Sequence, residues 1–394
     1  MQYLCVLITI NLASYIATIY LSNTLTVEDY SQLTLALTVS SLIAVVSLLG
    51  RSEMMLRRIS QSNYLVPIAS IISSIILSII IISSYTLIYK SELSYVILVT
   101  SLTIISIVVA YTSSILKFRS KTIQLALTQK SNNVYKLIIA AVCLSSTLNY
   151  QEISIYIMIS MYFLYFAYHF LFTCKVNYQF LNFKMNFYDK EGIPFLINGV
   201  SFLFYFQASV FVFGYYSLDY ELALYSLALL PISAYALVFN AYFNSLTQSK
   251  FYQLAAISNV NAILYLKKII KYQFYITPFI LLSYCFLVFF VSPEVFDLNK
   301  YPDLIEMMIL LFPVILFKFF SSSLSIYMNL KENIRFKNFV CIGAGVIGLL
   351  VSIFAIKLWG ISGALIATLL VELFILIGYL SSFLKQKITT KISE

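Results

Sequence analysis

The stretch whose reading decides the fold is residues 331–384, KENIRFKNFVCIGAGVIGLLVSIFAIKLWGISGALIATLLVELFILIGYLSSFL. A basic turn (Lys331, Arg335, Lys337) leads into an apolar run over 339–358. The turn WGISG at 359–363 follows, and a second apolar run over 364–384 holds one acid, Glu372. Crossing a bilayer takes about 20 mostly apolar residues, so the two runs read as a transmembrane helical hairpin. Glu372 then falls near mid-membrane, where a carboxylate costs roughly 2.5–3.5 kcal/mol on insertion scales. Such a residue is paired or used.

The rest of the chain has the same character. Of its 394 residues 61% are hydrophobic and only 10% charged, against roughly 25% charged in soluble domains. This composition predicts an all-α polytopic membrane protein. Its five cysteines (Cys5, Cys143, Cys174, Cys285, Cys341) form no CxxC or Cys/His spacing, so no disulfide framework and no metal or other cofactor is expected. The N-terminus is apolar from Leu4, has no basic residue before Arg51 and lacks a clear cleavage site. It reads as a retained first helix.

By apolar length the chain divides into twelve predicted spans: 3–22, 33–50, 65–89, 95–116, 133–150, 153–173, 193–216, 223–246, 274–292, 305–327, 339–358 and 362–384. With the N-terminus inside, the cytoplasmic loops collect 21 of the 25 basic residues. The opposite side is acidic (Glu28, Asp29, Glu92, Glu152, Asp219, Glu221, Glu294, Asp297, Asp303). The bias follows the positive-inside rule at every loop and predicts cytoplasmic N- and C-termini. The net charge of +9 is therefore a topology signal, and nucleic acid is not an expected partner.

The inside connection near 175–192 separates two sets of six helices, an organisation that internal duplication produces in transporters. The expected parts are an N-terminal bundle at 1–174, a connecting loop at 175–192, a C-terminal bundle at 193–384 and a cytoplasmic tail at 385–394. The first span carries Asn11, Ser14, Thr18 and Ser22 on one face, and the seventh carries Asn198, Ser201, Tyr205 and Ser209 at matching offsets. Such stripes either line a shared cavity or bond neighbouring helices. Gln207 in the seventh span and Asn240 and Asn244 in the eighth are further polar groups at membrane depth.

Nothing in the sequence resembles an enzyme: nucleophile elbow, phosphate loop and HExxH are all missing. Lys318 in the tenth span and Glu372 in the twelfth differ in depth by about three positions, roughly 5 Å, so an ion pair is geometrically open to them. It reads either as a coupling switch or charged cavity lining, or as a structural lock between two helices. Arg51, Arg57 and Arg58, after the second span, suit bidentate contact with a pyrophosphate, and equally suit topology and anionic lipid. Lys357 is placed to snorkel, and His169 reads as interfacial. Pro231, Pro278 and Pro313 interrupt spans and mark bends. Gly343, Gly345 and Gly348 thin one side of the eleventh span for close packing.

Three stretches resemble the Wzx-type flippases of bacterial polysaccharide synthesis, within the multidrug/oligosaccharidyl-lipid/polysaccharide exporter superfamily. They are LTVEDYS at 25–31 with Leu48-Leu49-Gly50, ALYSLA at 223–228, and 331–372, above all WGISGALIAT at 359–368. Ser31 and Leu224 stand where that family usually has glycine, and Gln207 stands where relatives often carry an acid. The resemblance implies two six-helix bundles forming a V-shaped cavity that passes undecaprenyl-pyrophosphate-linked oligosaccharide across the bacterial inner membrane by alternating access. It also implies membrane lipids, a polysaccharide polymerase and a chain-length regulator as partners. Taken with the polar faces at membrane depth, it makes Asn11, Thr18, Asn198, Gln207, Asn240 and Lys318 the candidates to line the cavity. The alternatives are a cation-coupled multidrug exporter of the same superfamily and a polysaccharide polymerase or ligase.

Overall fold

The computed structural model describes residues 2–52, 68–89, 93–118, 192–330 and 332–392. All regular structure among them is helical. In chain order, leaving aside the single turn Ser292–Val295, the α-helices are α1 (Gln2–Thr24), α2 (Val27–Leu48), α3 (Ile68–Tyr89), α4 (Leu93–Phe118), α5 (Ile193–Tyr215), α6 (Asp219–Ala241), α7 (Gln248–Ile257), α8 (Asn259–Phe286), α9 (Leu304–Leu310), α10 (Phe312–Met328), α11 (Ile334–Trp359) and α12 (Ile361–Ile392). Among the described residues seven helices are long and apolar enough to cross a membrane, eight if the bent pair α9 and α10 is one span. The chain is a multi-pass membrane protein. The predicted spans 133–150 and 153–173, most of the 175–192 connection, and His169, Arg57 and Arg58 lie outside the described residues.

The chain forms two compact units, Met1–Val200 and Ser201–Glu394. In the first, α2 packs on α3 and α4. Thr26 caps α2 by accepting the Asp29 N–H at 3.1 Å while its hydroxyl donates to the Asp29 carboxylate at 2.8 Å. Glu28 and Asp29 in the first turn also suit the positive end of the helix dipole. The helix ends in a left-handed turn at Leu49 and Gly50 (φ 49° and 71°).

In the second unit the hairpin of 331–384 is α11 and α12, which pack along each other, with α10 against α12. The turn is a single residue outside the helices, Gly360, at φ 55° and ψ −131°, a conformation that side chains disfavour. A Cβ on Gly363 would lie 2.1 Å from the Ala355 carbonyl oxygen, so the chain can reverse this tightly only without one.

Helices overrun their apolar runs at several ends. α8 begins at Asn259, well before the predicted 274, and carries Lys267, Lys268 and Lys271 as exposed positions of a continuing helix. The predicted inside connection 247–273 is therefore mostly helical. Helices with π geometry follow α6 at Tyr242–Thr247 and α8 at Leu287–Val291. The tenth predicted span is broken: α9 and α10 meet at 40° around Leu311. Pro313 lacks the N–H that would continue the ladder.

Candidate functional site

α10, α12 and α5 bring Lys318, Glu372 and Tyr205 together inside the second unit. Lys318 Nζ forms a direct ion pair with Glu372 Oε1 and donates to Tyr205 Oη at 3.1 Å. The Tyr205 hydroxyl in turn donates to the same Glu372 Oε1 at 3.0 Å. One phenol thus accepts from the cation and donates to the anion, closing a three-membered ring of charge-assisted bonds. The ammonium also sits 5.3 Å and 5.2 Å from the ring centroids of Tyr205 and Phe206, within cation–π range. Lys318 and Glu372 are 8% and 3% exposed, so neither charge is neutralised by water.

Local packing sets this geometry. Gly345 of α11 faces α5 so closely that a Cβ would lie 2.8 Å from the Ser201 carbonyl oxygen. That approach carries Tyr205, one turn beyond Ser201, to the face of α12 where Glu372 stands. Thr368 and Glu372 are four apart on α12 and share that face. Thr368 Oγ1 donates to the Ala364 carbonyl at 2.9 Å and so accepts from Tyr225 Oη of α6 at 2.7 Å. Ser209 of α5 meets Ser352 of α11 at 3.1 Å.

Two hollows flank these groups. One, of about 10 Å³, is lined by Lys318, Glu372 and Tyr205 together with the apolar side chains of Phe206, Leu229 and Ile232. The other, also about 10 Å³, lies among Tyr205, Ser209, Tyr225, Ser352 and Thr368. Among the described residues no group of three or more His, Cys, Asp or Glu side chains is placed to hold a metal.

The remaining sequence candidates lie elsewhere. Asn11 and Thr18 are buried on α1, and the Thr18 hydroxyl turns back to the Ser14 carbonyl at 2.8 Å. Gln207 is half-buried on α5 and is not among the residues lining either hollow. Asn198 and Asn240 sit on α5 and α6 with side chains outside the described residues. Arg51 is buried in the first unit, where its Nη1 donates to Ser73 Oγ at 2.6 Å, Ser74 Oγ at 3.3 Å and the Ser70 carbonyl at 3.4 Å. There it ties the end of α2 to α3. Sequence reasoning did not single out Tyr225, Thr368 or Ser352 as site residues. The available signals were the i, i+4 spacing of Thr368 and Glu372, and the position of Tyr225 and Thr368 within separate resemblance motifs that turn out to be hydrogen-bonded.

No family model matches the sequence, and no curated protein matches it. Solved structures do match. The lipid II flippase MurJ, in an inward closed conformation, superposes with a TM-score of 0.70 at 15% identity, over 99% of this chain and 90% of that one. The chain has a MATE- and MurJ-like transporter fold. An inward-facing multidrug resistance MATE family transporter of the MOP superfamily matches with a TM-score of 0.59 at 15% identity, over 99% of this chain and 100% of that one. MATE in complex with MaL6 matches at 0.51, with 12% identity over 99% and 96% of the two chains. Within this transporter fold, the lysine–glutamate–tyrosine cluster lies on α5, α10 and α12.

Proposed function

We propose that the chain is a flippase that moves undecaprenyl-pyrophosphate-linked oligosaccharide repeat units, of O-antigen, capsule or exopolysaccharide, across the bacterial inner membrane. The observation that carries this reading is the MurJ likeness, at a TM-score of 0.70 over 99% of the chain. The sequence motifs at 25–31, 223–228 and 359–368 support it independently. In this reading the chain, with bundles at 1–174 and 193–384, works by alternating access, with both termini cytoplasmic. The saccharide crosses through polar surroundings while the lipid tail stays in the bilayer, and the hollow beside Lys318 is part of the polar lining. Polysaccharide polymerase and chain-length regulator act downstream on the delivered units.

The test is replacement of the resident gene in a flippase-null strain that makes a matching polysaccharide. Restored surface polymer and loss of the lipid-linked unit accumulated inside are the expected result. Unchanged accumulation despite a membrane-inserted protein refutes the reading. A cation-coupled multidrug exporter is the second reading, favoured by the MATE likeness at 0.59. It calls for drug resistance in an exporter-deficient strain, which the flippase reading does not. Polymerase or ligase activity has less support, because the outer loops inferred from charge carry no His or Arg.

A further inference from the structure

Glu372 is the only buried carboxylate among the described residues. Hydroxyl oxygens stand close to it: Tyr205 Oη lies 3.0 Å from Oε1, and Thr368, bonded to Tyr225 Oη, lies one turn earlier on the same helix face. A carboxylate among neutral oxygens is the donor set that hard cations take. The place such an ion would occupy, touching Oε1 and beside the Tyr205 hydroxyl, is filled by the Lys318 ammonium. The ammonium contacts both oxygens, as a bound ion would, and the Tyr205 and Phe206 rings flank it. The adjoining hollow, about 10 Å³, is the size of a single water or small ion. Exclusion of an ion therefore rests on charge, since a second cation would lie against the ammonium.

We infer that Lys318 is a built-in counter-cation, holding at Glu372 and Tyr205 the position that a free sodium ion takes once the ammonium is removed. Among the described residues the other ionisable side chains around the cluster are Tyr205, Tyr225 and Tyr379, the last in hydrogen-bond contact with Cys341 at 3.6 Å. Among the described residues Lys318 and Glu372 set its charge, which sums to zero. A site of this kind binds no free sodium during transport, and Lys318→Met converts it to one that does. The inference stands on the cluster and not on the identity of the cargo.

The experiment is thermal unfolding of the purified full chain in detergent, in sodium chloride against choline chloride at equal ionic strength. Wild type, Lys318→Met, Glu372→Gln and the Lys318→Met/Glu372→Gln double variant are compared. The expected result is a wild-type Tm indifferent to the choice of cation. Lys318→Met gains a saturable sodium-dependent rise of a few degrees, as a ligand bound only to the folded state gives, and the double variant loses it. A sodium-specific rise in wild type that Glu372→Gln abolishes overturns the inference, and so does a folded Lys318→Met that sodium does not stabilise. If Lys318→Met is not recovered folded, wild type and Glu372→Gln decide by themselves. Shared indifference to sodium then supports the inference, and a wild-type rise lost in Glu372→Gln overturns it.

Discussion

At Glu372 the cost of burial is governed by its partners. Removing one member of a buried pair leaves a lone charge, whereas replacing both with apolar groups removes the difficulty. Glu372→Ala is expected to destabilise the second unit by about 3–5 kcal/mol, and Lys318→Met/Glu372→Leu by clearly less, in unfolding of the purified chain. Equal losses would mean that the pairing contributes nothing. Tyr205→Phe keeps both charges and deletes only the bridging hydroxyl, so its expected cost is about 1.5–3 kcal/mol, the range for hydrogen bonds to charged groups. Lys318 and Glu372 were legible in the sequence, because residue counts along two inward-running spans put them at similar depth. Tyr205 was visible only as one polar position in a stripe. Which helix it meets depends on the close approach at Gly345, and no one-dimensional pattern states that.

The hairpin of α11 and α12 was the most legible element, since two long apolar runs flank a turn too short for any other connection. Its ends were less so. An apolar count marks the part of a helix in hydrocarbon, while the hydrogen-bonded ladder continues through exposed charged residues such as Lys267, Lys268 and Lys271. Pro313 marked the bend between α9 and α10, whereas Pro231 and Pro278, read the same way, lie inside α6 and α8, which continue through them. Substitutions at the hairpin glycines test the packing directly. Gly363→Ala places a Cβ against the Ala355 carbonyl, a main-chain atom that no side-chain rotation can move. It is expected to lower folded yield sharply, by more than the roughly 1–3 kcal/mol of ordinary overpacking. Gly345→Leu is expected to separate α5 from α11 and so draw Tyr205 away from Glu372, read as loss of any further effect of Tyr205→Phe in that background.

For the whole molecule, membrane class and helical fold followed from composition and apolar spacing, and the solved transporters agree with that fold across nearly the full chain. Individual side-chain partners were beyond such counting, as Arg51 shows. Its sequence context fits a phosphate contact or a topology signal, and in the structure its guanidinium is engaged by Ser70, Ser73 and Ser74. Charge distribution makes a further prediction at this scale. Reporter fusions after Lys337 and after Lys387 are expected to report the cytoplasm, and a fusion at Asp297 the opposite side; reversed signals would overturn the proposed topology. The ion pair also bears on how the protein is made. Lys318 and Glu372 lie 54 positions apart, so at a synthesis rate of about 5–20 residues per second the ribosome finishes one roughly 3–11 s before the other. For that interval α10 has left the ribosome with an ammonium whose chain-encoded counter-ion does not yet exist. Nascent chains cut short before Glu372 therefore carry in α10 a lysine without the partner that the finished chain supplies.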